Sequence, residues 1–340
     1  MTDSVDSLQA VGASAPDEQD GGASSLYSLY EDCTLCPRRC HANRHAGQLG
    51  LCGASDKVRV ARAALHYWEE PPISGESGSG TVFFAHCQLQ CVYCQNAQIS
   101  RSTIDASSFP WATYEVTTAH LAQIFLDLQA KGANNINLVT ATQYLPSVVD
   151  AIRQAREGGL TVPIVYNTGG YETLKTIRLL SGVVDIYLTD LKHRSKDLAE
   201  KYSHASNYPE VAIKALDEMV SQVGAPVYYE NQKGETLLAS GVVVRHLLLP
   251  GLLDEAEDVV RYLGTEYGDR IVVSLMNQYV PLVDEKAYPE IACHVDQADY
   301  DNLVEFSRAF DFAECFIQEK GSDTEDFIPS FTGEGVLPGA

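Results

Sequence analysis

Between residues 81 and 276 the sequence repeatedly switches from short apolar runs to longer stretches with helical spacing, and this alternation restricts the fold more than any other feature. Strand-like runs lie near 81–86, 135–140, 162–167, 184–189, 242–248 and 271–276. Helical patterns lie near 117–131, 146–158, 172–181, 208–222 and 254–264. Thr117 suits an N-cap ahead of Leu121, Ile124, Phe125 and Leu128, which recur on one helix face, and Gly132 suits the stop. Strands that alternate with helices pair in parallel through right-handed crossovers. With six strands and no dinucleotide fingerprint, the pattern fits an α/β fold, a partial (β/α)6 barrel, with a Rossmann-like open sheet as the fallback.

The first apolar run, Thr81 to Ala85, leads directly into Cys87-Gln-Leu-Gln-Cys91-Val-Tyr93-Cys94. Thiolates on a short loop leaving a strand can converge on one soft metal centre. A closed cubane cluster takes four cysteines, so three local ligands leave one iron open for chemistry. The same difference separates open catalytic zinc sites from closed structural ones. A zinc loop that borrows a fourth ligand, or reduced core thiols, are the plainer alternatives.

A second group, Cys33, Cys36, Cys40 and Cys52, lies upstream. Its short gaps, Pro37 and the glycines around Cys52 suit a knuckle wrapped around a metal. Four thiols close a site, so its expected role is structural, with zinc or a second iron–sulfur cluster as occupant. The spacing does not match the ferredoxin runs, and reduced or disulfide-paired thiols are the alternative. His41 and His45 read as solvated, and the isolated Cys293 and Cys315 as small core hydrophobes.

A chain of 340 residues holds one large domain with an appendage, or two domains, and 45% hydrophobic residues support a sizeable core. The formal net charge of −22 argues against nucleic acid or an anionic membrane as partner. The only dense basic stretch runs from Arg38 to Arg44. No apolar run approaches the roughly 20 residues that span a bilayer, and no basic region followed by an apolar core opens the chain. Seven of nine cysteines fall into two tight groups, which favours metal ligation over disulfides. The expectation is a cytoplasmic, oxygen-sensitive protein. Its expected divisions are a disordered leader at 1–25, a cysteine-rich metal-binding segment at 26–76, the barrel at 77–318 and a tail at 319–340. That tail either covers the barrel mouth or trails.

Polar residues gather where the strand-like runs end, the edge at which barrels of this kind collect their chemistry. They include Thr140 and Thr142, Asn167 and Thr168, Asp190 and Lys192, Arg245 and His246, and Gln278 and Tyr279. Asp190 and Lys192 are two apart and so share one strand face. Such a pair is costly to bury unless it is mutually paired or engaged by a ligand. Arg245 and His246 alternate faces, which points Arg245 inward, toward cofactor or substrate, and leaves His246 packed.

Cys-x3-Cys-x2-Cys with Tyr93 ahead of the last cysteine resembles the signature of radical S-adenosylmethionine (SAM) enzymes. Cys94-Gln95-Asn96, the upstream Cys-x2-Cys-Pro-Arg-x2-Cys and the segment Glu69-Glu-Pro-Pro-Ile-Ser-Gly75 resemble more narrowly uncharacterised relatives of pyruvate formate-lyase activating enzyme. The resemblance implies a radical SAM barrel in which Cys87, Cys91 and Cys94 hold a [4Fe–4S] cluster whose open iron binds SAM. The reduced cluster would cleave SAM to methionine and a 5′-deoxyadenosyl radical. Asp190-Leu-Lys192 resembles the Asp-x-Lys motif of the activating enzymes, with Lys192 facing the SAM carboxylate and Asp190 organising the site. Asn167-Thr168-Gly-Gly resembles their Asp-Thr-Asn-Gly segment, although Asn167 replaces the aspartate. Thr140 and Thr142 stand where many members carry Gly-Gly-Glu, a motif absent here. Implied for the whole protein is hydrogen abstraction from a small molecule or peptide, with flavodoxin or ferredoxin as reductant. One alternative is an activating enzyme that installs a glycyl radical on a partner protein. Another, of a different class, is a non-catalytic iron–sulfur or zinc protein for electron transfer or scaffolding.

Overall fold

The computed structural model describes residues 26–101, 113–318, 321, 324 and 328–337; the leader expected over 1–25 lies outside them. The chain forms β1 (Val58–His66), β2 (Ser79–Phe84), β3 (Tyr114–Val116), α1 (Thr118–Ala130), β4 (Ile136–Val139), α2 (Leu145–Glu157), β5 (Ile164–Thr168), α3 (Leu174–Leu179) and β6 (Ile186–Asp190). It continues with α4 (Lys196–Ser203), α5 (Tyr208–Val223), β7 (Val227–Glu230), β8 (Thr236–Leu247), α6 (Leu253–Glu266), β9 (Val272–Met276), α7 (Gln297–Ser307) and β10 (Glu314–Ile317).

One sheet runs in the order β10-β9-β8-β6-β5-β4-β2-β1-β3, and β7 pairs with β8. Every pairing from β2 through β10 along this path is parallel. That is the expected α/β architecture, with β10 added as a further parallel strand. β1 and β3 continue the sheet past β2 in antiparallel sense. The central strands read as mostly apolar runs, interrupted by Asn137 in β4, because both faces are covered. Ile136, Leu138, Ile164, Val165, Ile186 and Leu188 are all fully buried, each such side chain stabilising the fold by roughly 1.5–3 kcal/mol.

α1 begins as expected, with Thr117 Oγ1 accepting from His120 N at 3.2 Å. Leu121, Ile124, Phe125 and Leu128 are buried along one face, and Gly132 takes φ +92° after the last turn. The cysteine-rich segment shares the barrel's core: Leu29, Tyr30, Cys33, Leu35 and Cys52 pack into the same apolar cluster. Tyr30 is fully buried, with its hydroxyl 3.1 Å from Ser147 Oγ on α2. Among the described residues no helix is long and apolar enough to cross a membrane.

The tail does not trail. Phe331 is fully buried with its ring centroid 5.5 Å from that of Phe83. Gly333 N donates to Ala61 O at 3.0 Å, and Ala63 N to Glu334 O at 2.9 Å, so the segment runs along β1 as a strap.

Candidate active site

β2 ends at Phe84, and the chain then turns through His86 and Gln90, two non-glycine residues at φ 71° and 54°. Such backbone costs about 1–3 kcal/mol per residue and persists only where its surroundings over-determine it. Here Gln143 Nε2 donates to Ala85 O at 2.8 Å and to His86 O at 3.1 Å. Arg38 Nε donates to Gln88 O at 3.0 Å, and Val92 N to Tyr202 O at 2.9 Å. The loop is therefore fixed from three sides.

Cys87, Cys91 and Cys94 all face one cavity of about 390 Å³. Burial pushes the Cys87 thiol up to about 12 and raises that of Cys91, so a metal bound there would have to displace their protons. Each thiol has its own partner: Leu89 N meets Cys87 Sγ at 3.4 Å, Ser203 Oγ is 3.2 Å from Cys91 Sγ, and Ser100 Oγ is 3.5 Å from Cys94 Sγ. Among the described residues no group of three or more His, Cys, Asp or Glu side chains is drawn together tightly enough to hold a metal ion as the side chains stand. The donor chemistry nonetheless fits a thiophilic centre with an open position, since three thiols and no fourth cysteine line this cavity.

Across the cavity stand Asp190 and Lys192, ion-paired with each other at the end of β6. Burial alone would lower the Lys192 ammonium, but Asp190, Tyr93 and Cys91 outweigh it and hold it well above the ordinary range. The Tyr208 hydroxyl lies 2.9 Å from Lys192 N and 3.0 Å from both Gly169 O and Asp190 O. A Cβ at Gly170, whose φ is +79°, would fall 2.4 Å from Asp190 O, so only glycine allows this turn.

Of the other residues singled out from the sequence, Tyr93, Thr140, Asn167 and Gln278 line the cavity. Thr168 also borders it, but its hydroxyl donates to the buried Glu172 at 2.6 Å. Thr142 does not reach it: the side chain is buried and donates to Glu172 at 2.6 Å. Tyr279 is also withdrawn, donating to Ile291 O at 2.5 Å. Arg245 lies in the wall as expected, yet Glu70 grips its guanidinium at 2.8 and 2.6 Å and Glu69 pairs with it too. His246 is buried against Leu191 O at 2.8 Å. Cys293 is exposed, contrary to the expectation of a core thiol, because Ile291 takes the buried position in that turn; Cys315 is half-buried on β10. His41 and His45 are exposed and pair with Asp32 and Asp56.

Three groups were not legible as site residues. Glu69 and Glu70 gave only the Glu-Glu-Pro-Pro segment as a signal, and Glu172 gave none. Trp68, Phe316, Ile317 and Pro329 complete the wall beyond the cysteines.

The parallel sheet thus brings the three-thiol loop after its first parallel strand and the Asp190–Lys192 pair to one cavity. No family model matches the chain. An uncharacterized protein of Methanocaldococcus jannaschii is 26% identical over 285 residues, covering 83% of this chain and 76% of the relative. The pyruvate formate-lyase-activating enzyme of Streptococcus mutans is 25% identical over 190 residues, covering 53% of this chain and 62% of that enzyme. Among solved structures, Streptococcus suis SuiB bound to S-adenosylmethionine aligns with a TM-score of 0.47 at 13% identity, over 70% of this chain and 49% of that chain. Methylornithine synthase (PylB) aligns with a TM-score of 0.47 at 12% identity, over 86% of this chain and 70% of that chain. The chain thus spans about half the length of SuiB.

Proposed function

We propose that the protein is a radical SAM enzyme that abstracts hydrogen from a small molecule or short peptide. One observation carries the reading: a single cavity takes in all three motif thiols and, facing them, the Asp190–Lys192 pair. A bound [4Fe–4S] cluster with SAM would supply one-electron cleavage chemistry at this cavity. Cys87, Cys91 and Cys94 are the ligands. Lys192, kept charged by Asp190, would donate to the SAM carboxylate, and Tyr93, Thr140 and Asn167 border the same space. Gln278, Phe316, Ile317 and Pro329 line the same cavity, and a wall on that side would help to shield reactive species from water. The cavity volume of about 390 Å³ favours a small substrate. Activation of a glycyl radical enzyme is the second reading, favoured by the similarity to the S. mutans activating enzyme. An electron carrier needs neither an open iron nor Lys192. A flavodoxin or ferredoxin serves as reductant in the proposed reaction.

The test is anaerobic reconstitution with dithionite as reductant. Cys91→Ala should lose both the cluster and 5′-deoxyadenosine formation. Lys192→Ala should keep the cluster spectrum but bind SAM about 10- to 150-fold more weakly, the effect of losing one charge-assisted hydrogen bond. Continued 5′-deoxyadenosine formation by Cys91→Ala refutes the assignment.

A further inference from the structure

We infer that Cys33, Cys36, Cys40 and Cys52 hold a second, closed metal–thiolate centre, and that Arg44 is its buried counter-cation. Three of these cysteines are buried and Cys40 is half-buried. Against each sulfur lies the backbone N–H two residues on: Leu35 for Cys33, Arg38 for Cys36, Ala42 for Cys40 and Ala54 for Cys52.

Arg44 supplies the independent observation. It is 2% exposed, and among the described residues no carboxylate pairs with it. Nη1 donates to Gln143 O at 2.7 Å, and Nη2 points at Cys33 Sγ at 3.0 Å and Cys52 Sγ at 3.7 Å. Nε is buried with no partner. The Tyr144 hydroxyl, in a fully buried side chain beside Cys52, is likewise unpartnered. A buried guanidinium without an anion is costly. Neutral thiols or disulfides leave that cost unmet. Four thiolates around a metal meet it, because the centre is net negative whether the metal is zinc or an iron–sulfur cluster. The backbone also makes room for the cation: a Cβ at Gly50 would lie 2.9 Å from Arg44 Nη2 and 3.2 Å from Cys52 Sγ.

The centre is tied to the three-cysteine loop without sharing its cavity. The Gln143 carbonyl accepts from Arg44 while its side-chain amide holds Ala85 O and His86 O, the two carbonyls before Cys87. Arg38, two residues past Cys36, holds the carbonyl after Cys87. The metal site itself stands independently of the function proposed above.

The experiment is metal analysis and native mass spectrometry of anaerobically purified protein. A Cys87→Ala/Cys91→Ala/Cys94→Ala variant leaves only the upstream group as ligands. It should retain either one zinc or iron with sulfide, the two outcomes naming the metal, and adding Cys52→Ser should remove it. In the full chain, wild type should carry metal in excess of one cluster, and Cys52→Ser should lose that excess, which keeps the test valid if the triple variant does not fold. Arg44→Ala should weaken metal retention against a chelator about 10- to 100-fold, with partial recovery in Arg44→Lys. Equal metal content in wild type and Cys52→Ser overturns the site. Unchanged retention in Arg44→Ala overturns the role of the arginine.

Discussion

Glu172 accepts from Thr142 Oγ1 and Thr168 Oγ1 at 2.6 Å and from Gln88 Nε2 and Tyr166 OH at 3.4 Å, all on Oε1, while Oε2 is buried without a partner. Desolvation dominates the four hydrogen bonds and pushes the carboxyl up from 4.5 to about 7. A raised carboxyl retains its proton in the folded state while the unfolded chain releases one. Stability is therefore lost as pH climbs from about 4.5 to about 7, and stays lost above that. Glu172→Gln keeps the amide oxygen as acceptor and removes this titration. Relative to wild type it should gain about 2.5 kcal/mol between pH 5 and pH 8, read from anaerobic denaturant midpoints at both pH values. A wild-type-to-variant difference that is flat with pH would rule out an ionising carboxyl at this position. Nothing local marks Glu172 in the sequence, where it is a lone glutamate two residues past a glycine pair. Its burial arises only when the turn after β5 folds beneath the ends of β4 and β5. The cysteines were legible for the opposite reason, since ligand spacing along one loop is a local property.

At the level of elements, the same contrast separates what periodicity reveals from what pairing creates. The central parallel strands and α1 were readable because long apolar periodicity fixes them. β10 was not, because its four residues have exposed ends and its strand character comes from pairing with β9. β8 begins at Thr236, six residues before the expected start near 242, because β7 supplies an antiparallel partner to its first half. α4 and α7 were also missed; α4 is only eight residues long, and both open on side-chain caps, Ser195 and Asp296. The segment after β1 was recognisable only as a resemblance, and the sheet gives it a physical role. Glu69 and Glu70 fork Arg245 of β8, and Asn137 Nδ2 of β4 donates to Glu69 Oε1 at 2.9 Å. Burial would raise the Glu70 carboxyl, but Arg245 outweighs it and the net shift is downward. Arg245→Met leaves two buried carboxylates unpaired and should destabilise the fold by about 3–5 kcal/mol. Chemical denaturation read beside SAM affinity separates the roles. Unchanged stability with weakened SAM binding would make Arg245 a ligand contact instead of a brace.

Over the whole molecule, the two ends of the barrel chain meet at the cavity wall. Phe83 of β2 lines the cavity on one side and packs Phe331 of the strap on the other, with Ala61 and Ile99 around it. Pro329, two residues before Phe331, is itself part of the wall. Arg62 pairs with Glu334 at 2.7 Å, but an exposed pair of this kind contributes at most about 1 kcal/mol. The anchor is therefore Phe331, whose truncation to alanine costs about 3–5 kcal/mol where the site cannot collapse. If the strap seals the wall, Phe331→Ala admits water and small solutes next to the thiols. Reconstituted well below its melting temperature, the variant should hold its full complement of cluster and still form several-fold more 5′-deoxyadenosine in the absence of added substrate. Limited proteolysis should release the tail beyond residue 318 faster than in wild type. If both rates match wild type, the aromatic contact is packing alone, and the wall is closed by Phe316, Ile317 and Gln318, which border the same cavity from β10 and the residue after it.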